Sequence, residues 1–269
     1  FQVDELERAS LESEVYDVDV EGHDDIEEDI SEQVSSSTNT QDSKVEIIQP
    51  ADVAKTEHCI VATDTLMKLL YRVHGEMCKR PGCDQPLEFQ ETFRGTCLVV
   101  VWKCHAGHFG GRWASQPTCA GLRAGNLLLA SAIALSGNSY TKIGFLFKVM
   151  NMTYISKMLY NQYQNLYIAP TVEEYWKAMK EEEWKGREGK DVILSSDGQN
   201  DSPGHCAQYL TYSFADMESK TILNVNIVDV REVEGRKSTN MERLGFERGL
   251  DELLTSTMNI QELVTDGHL

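Results

Sequence analysis

Apolar positions change their spacing twice along the chain, and the changes outline its parts. Up to about residue 50 they stand singly among acids and serines. From there to about residue 190 they recur mostly at helical spacing around one strand-like run, and beyond Asp191 they alternate with polar residues. In the middle section Thr63 followed by Leu66, Met67, Leu69 and Leu70 predicts a short strand and then a helical turn, and Leu98-Val99-Val100-Val101-Trp102 predicts a buried strand. Residues 122–136 predict an Ala/Leu-rich helix broken by Ser136-Gly137-Asn138-Ser139, and Thr141 to Val149 a second helix carrying Ile143, Leu146 and Phe147. A tight turn at Asn151-Met152 with Thr153 as N-cap then predicts a third helix over Tyr154 to Leu166. Pro170-Thr171-Val172 opens a further helix, and the charged run Lys177 to Lys190 reads as a solvated connector.

The last stretch has a different grammar. Asp191 to Ser196 predicts a strand that delivers Asp197 into a Gly198 turn. Gln208 to Ala215 and Thr221 to Val230 predict a hairpin around the loop Asp216–Lys220. Leu223, Val225 and Ile227 alternate with Asn224 and Asn226, which predicts that the asparagine face is wet. Thr239-Asn240-Met241-Glu242 has the form of a capping box, and Leu250, Leu253 and Leu254 mark the apolar stripe of the helix it opens. A final strand, Ile260 to Val264, ends at Asp266-Gly267. A strand that returns through a helical crossover lies parallel to the one before it, so the first and last strands are expected to run side by side. The fold class is α/β, organised as an acidic disordered tail (1–50), a metal-binding β module (51–120), a helical segment (121–190) and a mixed sheet (191–269).

Charge alters the picture of partners. The whole chain carries a net −18, but the first 45 residues hold 15 acids against two bases. Between Glu91 and Glu173 there is no acid, while Arg94, Lys103, Arg112, Arg123, Lys142, Lys148 and Lys157 all fall there. That window reads either as a surface for a polyanion such as DNA or as a compact module poor in charge. The two helices before Leu166, with Ser156, Lys157, Asn161, Gln162 and Gln164 on the second, have the layout of a helix-turn-helix or of an ordinary helical hairpin. The longest apolar run, Leu127 to Leu135, is too short to cross a bilayer, so no membrane partner is expected. A homo-oligomer is left open.

Seven cysteines, an odd number without a signal peptide, fit a reducing compartment, and with DNA as partner the nucleus. Four ligand candidates fall in two tight pairs, Cys78 with Cys83 and Cys104 with His108, with His105 as a substitute for His108. Short turns carrying Gly on either side of a β element are how knuckles present two ligands each to a tetrahedral Zn²⁺; the other reading is buried thiols and loop histidines. Cys59, Cys97, Cys119 and Cys206 stand alone. Asp197 and Asp266, each at a strand end before a glycine, suit Mg²⁺ or Mn²⁺, or else merely terminate two strands. Asp201, His205 and His268 lie near them in sequence.

Ser195-Ser196-Asp197-Gly198, Asp201-Ser202-Pro203-Gly204-His205, the Tyr209–Asp229 hairpin, Asn240-Met241-Glu242 and Val264-Thr265-Asp266-Gly267-His268 together resemble the DDE-type transposases of cut-and-paste DNA elements and the animal proteins derived from them. The upstream Cys/His pairs and Ser115-Gln116-Pro117 are similar to the segment before the catalytic core of that group, so the resemblance covers roughly residues 75 to 269. It implies a partial RNase H-like core in which Asp197 and Asp266 are the first two catalytic, metal-binding acids for phosphoryl transfer on DNA. The third acid has no counterpart before Leu269, so the chain as given is expected to be inactive. The alternative is a domesticated, non-catalytic DNA-binding adaptor. If the acidic tail masks a basic surface, deleting residues 1–45 should tighten duplex DNA binding at low salt in an anisotropy titration; unchanged affinity would dismiss the masking.

Overall fold

A computed structural model describes residues 48–203 and 206–265, and the chain divides after Pro170 into two compact units. The expected disordered tail, like Asp266, His205 and His268, lies outside the described residues.

The first unit opens with a short helix α1 (Pro50–Val53) and the amphipathic α2 (Thr63–His74). An antiparallel sheet follows, with β2 (Cys97–Cys104) between β1 (Leu87–Arg94) and β3 (Phe109–Ala114). The apolar run Leu98–Trp102 becomes the central strand because it can bury both faces. On one of them Leu98, Val100 and Trp102 meet Met67 and Leu70 of α2. Trp102 lies flat over two glycines of β3. A Cβ on Gly110 or Gly111 would sit 2.3 or 2.5 Å from the indole, so only glycine admits it.

A small ladder, β4 (Thr118–Cys119) with β5 (Leu122–Arg123), leads into α3 (Ala124–Leu135), followed by α4 (Tyr140–Val149) and α5 (Lys157–Tyr163). Ala130, Ile133, Ile155, Leu159, Tyr160 and Tyr163 form their core. Thr153 is not the cap of the third helix. The cap is Ser156, whose Oγ accepts the Leu159 N–H at 3.2 Å. The three extra residues stay extended so that Ile155 can bury and its carbonyl can accept the Tyr140 hydroxyl at 2.8 Å. The connection from Met150 to Ser156 is thereby longer than the three to four residues of a helix-turn-helix, and the helical-hairpin reading describes it better. Beyond α5 the chain does not restart at Pro170. A π-turn (Gln164–Ile168), closed by the Ala169 N–H to the Gln164 carbonyl, widens the helix just before the proline, which has no N–H to give and crowds the carbonyl four residues back. The helix then continues as α6 (Ala169–Gly186).

The second unit is a four-stranded mixed sheet in the order β8-β7-β6-β9, with α7 (Met241–Leu254) on one face. β6 (Asp191–Asn200), β7 (Tyr209–Asp216) and β8 (Ile222–Asp229) are antiparallel neighbours, and β9 (Asn259–Val264) runs parallel to β6 as the crossover rule requires. Asp197-Gly198 is not a turn, because β6 runs on to Asn200 and pairs Asp197 with Ser213. The parity of β8 is inverted too. Phe214 pairs with Asn224 and Ala215 with Ile222, so Leu223 is an extra residue that flips every later side chain. Asn224 is therefore buried, donating to Glu252 of α7 at 2.6 Å, while Ile227 is 66% exposed. Asn240 makes no side-chain cap for α7; a capping box is instead made by Asp229 and Glu232 around a 3₁₀ turn. Of the expected stripe Leu253 is buried but Leu254 is exposed.

The charged run after Lys177 is more than a connector. Trp184 Nε1 donates to the Leu223 carbonyl at 2.8 Å, and Arg187 Nε reaches Asp216 Oδ2 at 3.1 Å. Burial pushes the Asp216 carboxyl up, but bonds from Ser219, the Glu218 N–H and Arg187 outweigh it and hold it below its ordinary range. The inward row of α7 is Met241, Gly245, Gly249 and Leu253. A Cβ on Gly249 would meet the Phe214 ring at 2.3 Å and Asn226 at 2.9 Å. Gly→Ala in an open helix gains about 1 kcal/mol, whereas overpacking costs about 1–3 kcal/mol. Gly249→Ala is therefore expected to lower the midpoint of chemical denaturation, while Gly186→Ala, with open space around it, should raise or preserve it.

Candidate metal centre

Two loops of like construction carry the Cys/His pairs to one end of the β1-β2-β3 sheet. The first is closed by the Met77–Pro86 bridge, with the Cys78 N–H donating to the Gln85 carbonyl at 2.9 Å and the Cys83 N–H to the Arg80 carbonyl at 3.0 Å. The second follows β2, with the Gly107 N–H on the Cys104 carbonyl at 2.8 Å and the Cys104 N–H on the His108 carbonyl at 3.0 Å. In each the residue before the second ligand is a glycine at φ +80°, Gly82 before Cys83 and Gly107 before His108. No neighbour lies within 4 Å of a Cβ placed on either, so it is the left-handed backbone and not space that calls for glycine.

The four ligand atoms of Cys78, Cys83, Cys104 and His108 all lie within 4.8 Å of one another. Cys83 Sγ is 3.9 Å from Cys104 Sγ, and Cys78 Sγ is 3.8 Å from His108 Nδ1. A sulfur–sulfur bond needs about 2.05 Å. The edge of a tetrahedron drawn with Zn–S bonds of 2.3 Å is about 3.8 Å. The separations are thus those of ligands around an ion, and this group could hold one. At Cys104 burial opposes ionisation, yet the N–H groups of His108 and Ala106 and the thiols of Cys78 and Cys83 outweigh it and lower its pKa. At Cys83 the Gln85 N–H pulls down, but burial and the sulfurs of Cys78 and Cys104 prevail and raise it. One thiolate thus hinders the next. A divalent cation at their centre removes that conflict and displaces the protons.

The sequence-predicted residues separate cleanly. His108 joins the cluster, and His105, exposed beyond β2, does not. Cys97 and Cys119 are buried in the body of the unit, while Cys59 and Cys206 are exposed. Asp197 sits on the exposed face of β6, and its Oδ1 accepts the N–H of its own neighbour Gly198 at 2.8 Å. Asp201 accepts the Gln208 N–H at 3.1 Å, the work of a turn residue. Among the described residues no second group gathers three or more Cys, His, Asp or Glu side chains. Of the bases in the acid-free window, Arg123 is 1% exposed and so forms no part of a surface, whereas Lys103, Lys142, Lys148 and Lys157 are exposed.

Sequence reasoning passed over Asn126, 2% exposed in the first turn of α3. Its Oδ1 accepts both the N–H and the hydroxyl of Thr96, at 2.9 and 2.8 Å, and its amide donates to the Arg94 carbonyl at 3.0 Å. Gln116 completes the network by accepting the Asn126 N–H and donating to Thr96 Oγ1. The signal available was a lone amide in an otherwise apolar Ala/Leu run. Set against family models, curated proteins and solved structures, the chain matches none.

Native mass spectrometry of protein purified without chelator should find one tightly held divalent ion per chain. Cys78→Ser and Cys104→Ser should each lose it, whereas Cys59→Ser should keep it. Equal metal content in all four proteins would leave the cluster as thiols only.

Proposed function

We propose that the chain is a transposase-derived DNA-binding protein whose second unit belongs to an RNase H-like core, and that the Cys78/Cys83/Cys104/His108 group holds a structural Zn²⁺. Sulfur with one imidazole is a donor set for Zn²⁺, and four protein ligands leave no open position for a substrate, which makes the ion a staple for the ends of β1, β2 and β3.

One observation carries the core reading: β6 and β9 are parallel and pair Ser195 with Val264. Asp197 follows Ser195 by two positions, and Asp266 follows Val264 by two. Side chains two apart share a face, so Asp197 belongs with Ser195 on the face away from α7. Equal offsets from a paired position are what two acids sharing a cation across neighbouring parallel strands require.

Mg²⁺ and Mn²⁺ take about six oxygens, several of them from carboxylates, waters and substrate phosphate. Asp197 supplies a single placed carboxylate, and among the described residues it belongs to no group of three or more Cys, His, Asp or Glu side chains. That set is too small, so no phosphoryl-transfer step is assigned to this chain. The second reading is a DNA-binding adaptor without catalysis.

Manganese titration followed by electron paramagnetic resonance distinguishes the two. A core of the proposed kind binds Mn²⁺ weakly and loses it in both Asp197→Asn and Asp266→Asn, with zinc content unchanged. Binding indifferent to both variants dismisses the shared acid pair. DNA contact is tested separately with a labelled duplex: Kd should weaken steeply with salt, and Lys103→Gln/Lys142→Gln/Lys157→Gln should cost about tenfold and flatten the salt slope. A salt-independent Kd unaffected by the triple change would end the DNA reading.

A further inference from the structure

α4 buries none of its residues. Phe145 and Val149 are each 68% exposed, and Leu146 and Met150, at 48% and 45%, lie beside them. At 100° per residue these four and Lys142 fall on one face, with Lys142 at its N-terminal end and Lys148 at its edge. A helix showing four large apolar side chains and two cations to solvent, in a window without a single acid, is dressed for a ligand that is apolar and anionic by turns.

The chain supplies such a segment. Val15-Tyr16-Asp17-Val18-Asp19-Val20-Glu21 and Asp24-Asp25-Ile26-Glu27-Glu28-Asp29-Ile30 alternate apolar residues with carboxylates. We propose that residues 15–30 dock on the Lys142–Met150 face of α4 in the same molecule, their apolar residues on Phe145, Leu146, Val149 and Met150 and their carboxylates on Lys142 and Lys148. This goes beyond the DNA and metal readings and depends on neither.

The tail's point of departure supports the match. The Ile48 N–H donates to the Thr118 carbonyl at 3.0 Å, and Ile48 packs with Cys119, Ala124 and Leu128, at the start of α3. α3 shares its core with α4, so the root of the tail and the proposed face belong to one unit. The eighteen residues from Ile30 to Ile48 can span up to about 60 Å, enough to reach any face of that unit. A short tether gives an effective concentration of about a millimolar, so an intrinsic Kd below about a millimolar suffices to keep the face covered.

Zero-length carbodiimide cross-linking of the full chain, read by mass spectrometry, tests this. Bonds should join acids between Asp17 and Asp29 to Lys142 and Lys148 within single chains, at a yield independent of protein concentration and suppressed by high salt. Phe145→Ser/Val149→Ser alters only exposed side chains, and should lower that yield by about tenfold while leaving the far-ultraviolet circular dichroism and the metal content unchanged. Links spread evenly over all exposed lysines, links found only between two copies, or a yield untouched by the double variant would each overturn the proposal.

Discussion

The first unit hangs on the two ends of β2. At one end the amide of Asn126 takes both donors of Thr96 and gives its own protons to the Arg94 carbonyl, so the β1–β2 turn is fixed to the first turn of α3. At the other end Cys104 stands in the Cys/His group. Between them lie Cys97, Leu98, Val99 and Val100, all buried, so any shift of β2 along its axis disturbs both ends at once. Each polar group of the Asn126 network would cost about 1–3 kcal/mol if buried unpaired. Gly95, at φ +58°, lies so near that a Cβ there would be 2.8 Å from the Asn126 amide. A strand held this way at one end presents its last residue to the opposite loop at a fixed place, which is what a tetrahedral ligand set needs.

The second unit depends on a different constraint, the one-residue excess at Leu223. It turns Asn224 and Asn226 toward α7, where Glu252 accepts from Asn224 and Lys180 pairs with Glu252 at 2.6 Å. Burial alone would raise the Glu252 carboxyl; Lys180 and Asn224 reverse that and lower it. The polar row is thus satisfied inside, and the hydrophobic cost falls on the other face, where Ile193, Ile222, Ile227 and Val264 remain partly exposed. Gly245 and Gly249 belong to the same solution. They bring the backbone of α7 down onto Tyr212 and Phe214, whose rings then fill the volume a leucine stripe would have occupied.

What could be read from the sequence was whatever is decided locally. The helices at 124–135 and 140–149, the hairpin loop after Asp216 and the pairing of the two Cys/His half-sites follow from spacing, breakers and turn residues. The misreadings have a common cause. The face of Asn224 depends on a bulge set by β7, the start of α5 on where Ile155 finds a core, and the use of Trp184 and Arg187 on partners about thirty to forty residues away. Thr153 has good capping chemistry, but tertiary packing places the start of α5 elsewhere, and Asn240 precedes α7 without making a side-chain cap. Arg123 shows the same limit for charge. A basic residue in an acid-free window looks like surface, yet this one is buried.

The same distinction separates the Cys/His group from Asp197. Cys78 and Cys83, like Cys104 and His108, are set by short excursions of six and five residues with their own hydrogen bonds and their own left-handed glycine, and only one long-range step, the β1–β2–β3 register, joins them. Such a group can take shape before an ion arrives, and an ion held there would add its binding energy to the fold of the unit. Asp197 has no local support of this kind. It is presented by a strand whose neighbour on that side, β9, comes from more than sixty residues later, so its surroundings are set by the parallel pairing of β6 with β9 and by α7, which lies between them in sequence. A substitution that shifts α7 on the sheet would therefore alter the surroundings of Asp197.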